Sequence, residues 1–219
     1  KARLKIEATA RLGPHVVRVR TAGGISEART FSVGQYPVLD EQEPNNDFAS
    51  PQKIPLNTTV HGVAGNEDVD YYLVEAKQGQ RITAEVEAMR LGSALVDCHV
   101  AILNRKRFEL AACDDSAFAL QDPVASVIAP EDGSYVIAVR ESSYAGNDGS
   151  RYCLHVGEAP RPLMVYPAGG KAGEEVEVKF LGDVRGDFTQ KIKLPDKAVG
   201  DFDYYLVQDG RSVPSPNRL

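Results

Sequence analysis

The sequence predicts an all-β protein built around a sandwich or jelly roll. Three observations predict it. Apolar and polar residues alternate along many short runs, helical periodicity is scarce, and turn signals recur roughly every ten residues.

Taken in order, alternation predicts strands at 3–8, 16–21 and 28–33, separated by the turns Gly13-Pro14 and Ala22-Gly23-Gly24. The stretch from Gln35-Tyr36-Pro37 to Pro44-Asn45-Asn46 is polar and proline-bearing, which marks a boundary. Strands then follow at 58–63, 71–75, 80–88, 96–103, 110–113, 124–129, 133–140 and 152–156, with a short helical turn at 47–52. Glu158-Ala159-Pro160-Arg161-Pro162 is a second boundary, followed by strands at 164–166, 174–181, 190–194 and 203–208. Three segments result: 1–37, 38–158 and 159–219. Asp68-Val69-Asp70-Tyr71-Tyr72-Leu73-Val74 is echoed by Asp201-Phe202-Asp203-Tyr204-Tyr205-Leu206-Val207, but the agreement stops there, so the echo reads as strand chemistry rather than a repeat.

Composition narrows the function. The chain has 219 residues, 42% hydrophobic and 26% charged, as globular proteins do. A net charge of −6 argues against a nucleic-acid surface. The charge is uneven: residues 1–35 hold seven Lys or Arg against Glu7 and Glu27, so the rest is strongly acidic. No run is apolar for long enough to span a membrane. The opening Lys-Ala-Arg-Leu-Lys is not a signal peptide, and the chain reads as an excerpt of a longer protein. Cys98, Cys113 and Cys153 lack metal-ligand spacing. If Asn104-Arg105-Lys106-Arg107 is a turn, pairing Leu103 with Phe108 sets Cys98 opposite Cys113. A cross-strand disulfide and three small buried thiols are then the two readings.

The most informative feature is Glu41-Gln42-Glu43-Pro44-Asn45-Asn46-Asp47, followed by Asp68-Val69-Asp70-Tyr71-Tyr72. Hard cations such as Ca²⁺ take six to eight oxygen ligands, and short acidic loops with interspersed Asn supply them. Without a cation, Glu41, Glu43, Asp47, Asp68 and Asp70 would repel one another, by roughly 1 kcal/mol per pair at about 4 Å in water. The competing reading is a hydrated acidic loop in which Asp47 or Asn46 caps a helical turn.

From Glu41 to Gly157 the chain resembles the bacterial pre-peptidase C-terminal domain family. The resemblance rests on Glu43-Pro44-Asn45-Asn46 and Ala49, Gly62, Asp68-Val69-Asp70-Tyr71-Tyr72, Gly79-Gln80, Leu95-Val96-Asp97, Leu110-Ala111, Asp114-Asp115, Pro130-Glu131-Asp132-Gly133-Ser134-Tyr135 and Tyr152-Cys153-Leu154-His155-Val156. It implies a jelly-roll-like β-sandwich that accompanies other domains in secreted proteins. It also implies calcium ligands at Glu41, Glu43, Asn45, Asp47 and Asp70, with Asp68 beside them. Cys98 and Cys113 depart from the family pattern, away from those ligands. Leu12-Gly13-Pro14-His15 with Phe31-Ser32-Val33, and the stretch from Tyr166-Pro167 to Gly173-Glu174, resemble the end and the start of immunoglobulin-like modules. The arrangement is similar to large multi-module planctomycete surface or secreted proteins, and its two flanks are candidates for packing together or swapping between molecules.

Other chemistry is thin. His15, His61, His99 and His155 are isolated from one another, and no Gly-x-Ser-x-Gly elbow is present. Ala168-Gly169-Gly170-Lys171 lacks phosphate-loop spacing. Asp97, Asp114 and Asp115, with Asp122 near them, form a second acidic group with two readings, a further cation site and, the favoured one, turn-closing residues at strand ends. Of the tyrosines, Tyr135 and Tyr152 read as core, whereas Tyr144 in Ser142-Ser143-Tyr144-Ala145-Gly146-Asn147 is expected to be exposed and able to touch a ligand. The expectation is a non-catalytic secreted or cell-surface module that has structural roles or binds extracellular polysaccharide or protein, and that contacts neighbouring modules of its parent chain.

Overall fold

The computed structural model describes residues 4–92, 94–116 and 119–219. The protein is all-β, and the one helical element lying wholly within the described residues is the 3₁₀ turn Met89–Leu91.

Residues 4–40 begin with an exposed ribbon. β1 (Gly13–Val17) pairs with β4 (Arg29–Val33), and β2 (Arg20–Thr21) pairs with β3 (Gly24–Ile25). The strand expected at 3–8 does not form over its described part: residues 4–7 are irregular and a turn begins at Ala8. Leu4 and Ile6 alternate as a strand would, yet both are exposed and, among the described residues, have no partner strand to stabilise the extended form. The strand expected at 16–21 is broken between β1 and β2.

The sandwich comprises β5 (Val38–Asp40), β6 (Gln52–Lys53), β7 (Thr58–Val63), β8 (Asp70–Ala76), β9 (Arg81–Glu87), β10 (Cys98–Asn104), β11 (Glu109–Cys113), β12 (Val124–Ile128), β13 (Gly133–Glu141) and β14 (Arg151–Gly157). They form two five-stranded sheets, in the orders β11-β10-β13-β8-β6 and β12-β9-β14-β7-β5. Period-two alternation turns Tyr72 and Val74, Val100 and Ile102, and Tyr135 and Ile137 of the first sheet onto Ile82 and Val86, Val60 and Leu154 of the second, all in one buried cluster. Each fully buried Val, Leu or Ile there is worth about 1.5–3 kcal/mol. Both edge strands that flank the first acidic segment run parallel to their neighbours, β5 to β7 and β6 to β8. Residues 41–51 therefore cross from one sheet to the other over an end of the sandwich. That crossing is what positions the candidate site.

The three thiols are free. Val100, not Cys98, faces Cys113: Leu103 pairs with Glu109 rather than Phe108, and a bulge between Ile102 and Leu103 shifts the β10–β11 register by one residue more. Cys98 points into the core instead.

Residues 159–219 add β15 (Met164–Tyr166), β16 (Glu175–Leu181) and β17 (Phe188–Lys193) as one sheet. Four short strands follow: β18 (Asp203–Tyr204) pairs with β21 (Asn217–Arg218), and β19 (Val207–Gln208) with β20 (Arg211–Ser212). They have a core of their own around Phe180, Ile192 and Leu206. This layer covers the outer face of β9, so Arg81, Thr83 and Glu85 are buried although they point away from the sandwich core. The seam is ionic. Arg81 pairs with Asp183 and Arg161 with Glu85, while Arg90 reaches Glu85 at 3.0 Å and Asp122 at 2.6 Å. The Thr83 hydroxyl donates to the Ala159 carbonyl at 2.8 Å, and the Arg161 amide to Asp183 Oδ2 at 2.9 Å. The flanks also meet: the Ser212 amide donates to Gln35 Oε1 at 2.7 Å.

Candidate metal centre

Glu41 lies one residue past β5, and Glu43 and Asn45 follow on the crossing segment, which has a cis Glu43–Pro44 peptide bond. Asp70 opens β8, two residues before Tyr72 and so on the same inward face. The crossing is tied down by backbone bonds: the Glu41 amide donates to the His61 carbonyl at 3.0 Å and the Tyr71 amide to the Asn45 carbonyl at 3.0 Å. Oxygens of Glu41, Glu43 and Asp70 consequently lie within 4.8 Å of one another.

Two phenols form the floor. The Tyr72 hydroxyl approaches Glu41 Oε1 at 2.8 Å and the Tyr152 hydroxyl at 2.6 Å. Tyr152 in turn lies 2.6 Å from Asp70 Oδ2 and 3.2 Å from Glu41 Oε1. These are four short oxygen contacts, and two phenols own only two protons for them. Glu41 Oε2 is separately engaged by the Val63 amide at 3.0 Å, and Glu43 Oε2 by the Asn45 amide at 2.7 Å. The electrostatics follow from this crowding. Burial raises the Asp70 carboxyl well above the ordinary carboxylate range. The Tyr152 hydrogen bond works against that rise, and the charges of Glu41 and Asp68 add to it.

Three further oxygens are buried without a hydrogen-bond partner: Asn45 Oδ1, Asp68 Oδ1 and Asp70 Oδ1. Asn45 is almost wholly buried, with its Nδ2 3.4 Å from Glu41 Oε1. A buried acceptor left unpaired costs about 1–3 kcal/mol, more when charged. An all-oxygen donor set that combines crowded carboxylates with orphaned acceptors fits a hard divalent cation and not a soft metal, which would call for thiolate or imidazole.

Of the residues singled out in the sequence, Glu41, Glu43 and Asp70 converge, with Asn45 and Asp68 close by. Asp47 is exposed, and its Oδ1 accepts the Ala49 amide at 2.9 Å, capping the turn at 47–50. Asp122 accepts the amides of Ala88, Met89 and Arg90 at 2.7–3.2 Å, and Asp114 accepts the Ser142 hydroxyl at 2.6 Å, both structural tasks. Tyr144 is 45% exposed, with the Arg140 guanidinium 4.6 Å above its ring. Sequence reasoning missed the polar work of Tyr72 and Tyr152. The available signals were strand parity, which sets Tyr72 beside Asp70, and Gly62 directly across from Tyr152.

No family model matches the chain, and no curated protein matches it. Among solved structures it is similar to the pre-peptidase C-terminal domain of a Bacillus anthracis collagenase, at 18% identity over 48% of this chain and 93% of that one, with a TM-score of 0.39. It is also similar to PliG of Aeromonas hydrophila, a periplasmic inhibitor of g-type lysozyme, at 16% identity over 48% of this chain and 95% of that one, with a TM-score of 0.37.

Proposed function

We propose that the protein is a non-catalytic, extracellular β-sandwich module with structural and interaction roles, clamped by one Ca²⁺ at the crossing segment. Glu41, Glu43, Asn45, Asp68 and Asp70 would hold the ion. The observation that carries this reading is the set of three partnerless buried oxygens beside Glu41, Glu43 and Asp70. A bound cation would neutralise the carboxylates and satisfy those acceptors together, stapling the crossing segment to the start of β8. Secretion or display at a cell surface rests on the sequence resemblance and belongs to the same proposal, as does docking against neighbouring modules.

The test is thermal unfolding in chelator, then with Ca²⁺ added back and Mg²⁺ as control. A ligand bound only by the native state stabilises by RT ln(1 + [L]/Kd), about 1.4 kcal/mol per tenfold excess over Kd. A Ca²⁺-selective rise that disappears in Glu43→Ala/Asp70→Ala is the expected result. No shift up to millimolar Ca²⁺ would overturn the clamp. A second reading, a polymer-binding module, is favoured by a separate feature on the opposite face of the first sheet.

A further inference from the structure

The outer face of β8, β13 and β10 is hollowed into an open groove of about 300 Å³. Its floor is made small by Ala101 and Ala138 in the middle of the sheet. One wall is Phe48 set edge-on against Tyr71, centroids 5.6 Å apart at 83°. The other is the exposed ring of Tyr144 under Arg140. Arg107 lies 4.7 Å over the Phe48 ring, with Arg105 at 5.8 Å. Arg140 is fixed in place by donating to the Glu141 and Ser142 carbonyls at 3.1 and 2.6 Å. Among the described residues, the only carboxylate lining the groove is Glu109.

Three things about this face point to a ligand and to its chemistry. First, the groove is cationic on a chain whose net charge is −6, so the charge is local and complementary to an anion. Second, it lies on the face of central strands whose amides and carbonyls are already used in the β10–β13 and β13–β8 ladders. An extended peptide gains its main-chain bonds at a sheet edge, and none are on offer here. Third, what the groove does offer is aromatic faces with guanidinium groups held against them. Aromatic faces accept the apolar faces of sugar rings, and guanidinium forks match carboxylates. Tyr144 sits at φ 60°, which holds its side chain at the tip of a tight turn.

We propose that this groove binds an acidic polysaccharide, one uronate-bearing strand lying along Ala101 and Ala138 with its sugar rings against Tyr144 and Tyr71 and its carboxylates on Arg107 and Arg140. The proposal goes beyond the calcium clamp and does not depend on it, because no groove residue is among the metal ligands.

The probe is a hyaluronate oligosaccharide, which carries a uronate in every repeat, titrated into the chain by calorimetry at low and at moderate salt. Neutral dextran and poly-glutamate serve as controls. The expected result is saturable binding that weakens with salt and falls at least tenfold in Arg107→Ala and in Tyr144→Ala. Both residues are exposed, so both variants should melt as the wild type does. Dextran should not bind, and poly-glutamate should compete poorly. Absence of hyaluronate binding, or binding unaffected by both substitutions, would overturn the proposal. Equal competition by poly-glutamate would overturn it in favour of an acidic peptide. Loss of the Ca²⁺-dependent melting shift with groove binding intact would remove the clamp and leave the groove standing.

Discussion

Replacing Glu85 by Gln tests the seam between the sandwich and residues 159–219. Glu85 is 1% exposed and sits between Arg161 and Arg90. Burial by itself would raise its pKa, but the two arginines outweigh burial and bring it down to about 2, from an ordinary 4.5. A carboxyl whose folded pKa is depressed stabilises the fold at pH values above its unfolded pKa, and that stability is lost as pH falls through the folded pKa. The shift corresponds to about 3 kcal/mol at neutral pH. Removing one partner of a buried ion pair independently costs about 3–5 kcal/mol, because the remaining charges stay buried. For a chain of this size the expected loss is roughly 6–20 °C in melting temperature. Thermal unfolding at pH 7 reads it directly. Repeating the melts between pH 5 and pH 2 should show wild-type stability falling faster than that of Glu85→Gln, until the two converge. A variant that melts within a degree of wild type at pH 7, or that keeps the wild-type acid slope, would refute the seam as a source of stability. Glu85→Leu with Arg161→Met removes both charges at once and should cost less than Glu85→Gln alone.

Gly62→Ala should destabilise by about 1–3 kcal/mol in urea unfolding, the usual cost of overpacking. Its Cβ would fall 2.3 Å from Tyr152 Cζ, and that ring cannot yield while its hydroxyl is held by Asp70 and Tyr72. Unchanged stability would mean that the ring is not pinned. Thiol labelling of the native protein should modify Cys113 first. Cys98 and Cys153 have thiols pushed up to about 12, chiefly by burial, and should react only on unfolding. Equal labelling rates for all three would contradict that order.

The sandwich was legible because its inward residues alternate without interruption along β8, β9, β10, β13 and β14, and alternation is a property of one strand at a time. Half of the candidate site was legible for a similar reason: Glu41, Glu43 and Asp70 stand out by composition. Their convergence was not, since it depends on β5 and β6 joining different sheets, each by a parallel pairing that no local pattern announces. The cysteine register failed for the opposite reason. A turn that pairs Leu103 with Glu109, followed by a one-residue bulge in β10–β11, leaves every side chain a plausible strand residue while changing which ones meet.

The seam shows where single-strand reasoning runs out in principle. Alternation assigns Arg81, Thr83 and Glu85 to the polar side of β9, and that assignment is correct. What alternation cannot say is whether water or protein covers that side. Here the cover comes from Arg161 and Asp183, some eighty to a hundred residues further along the chain. An apolar seam of equal area would tolerate sliding, because hydrophobic contact is non-directional. Buried ions do not: a displacement of a few ångströms separates Arg81 from Asp183 in a site that excludes water, at a cost of several kcal/mol. The ionic seam therefore sets the position of residues 159–219 on the sandwich more sharply than it strengthens their attachment. It follows that Glu85→Leu with Arg161→Met can leave the melting temperature nearly intact while loosening the docked geometry, and Glu85→Gln cannot.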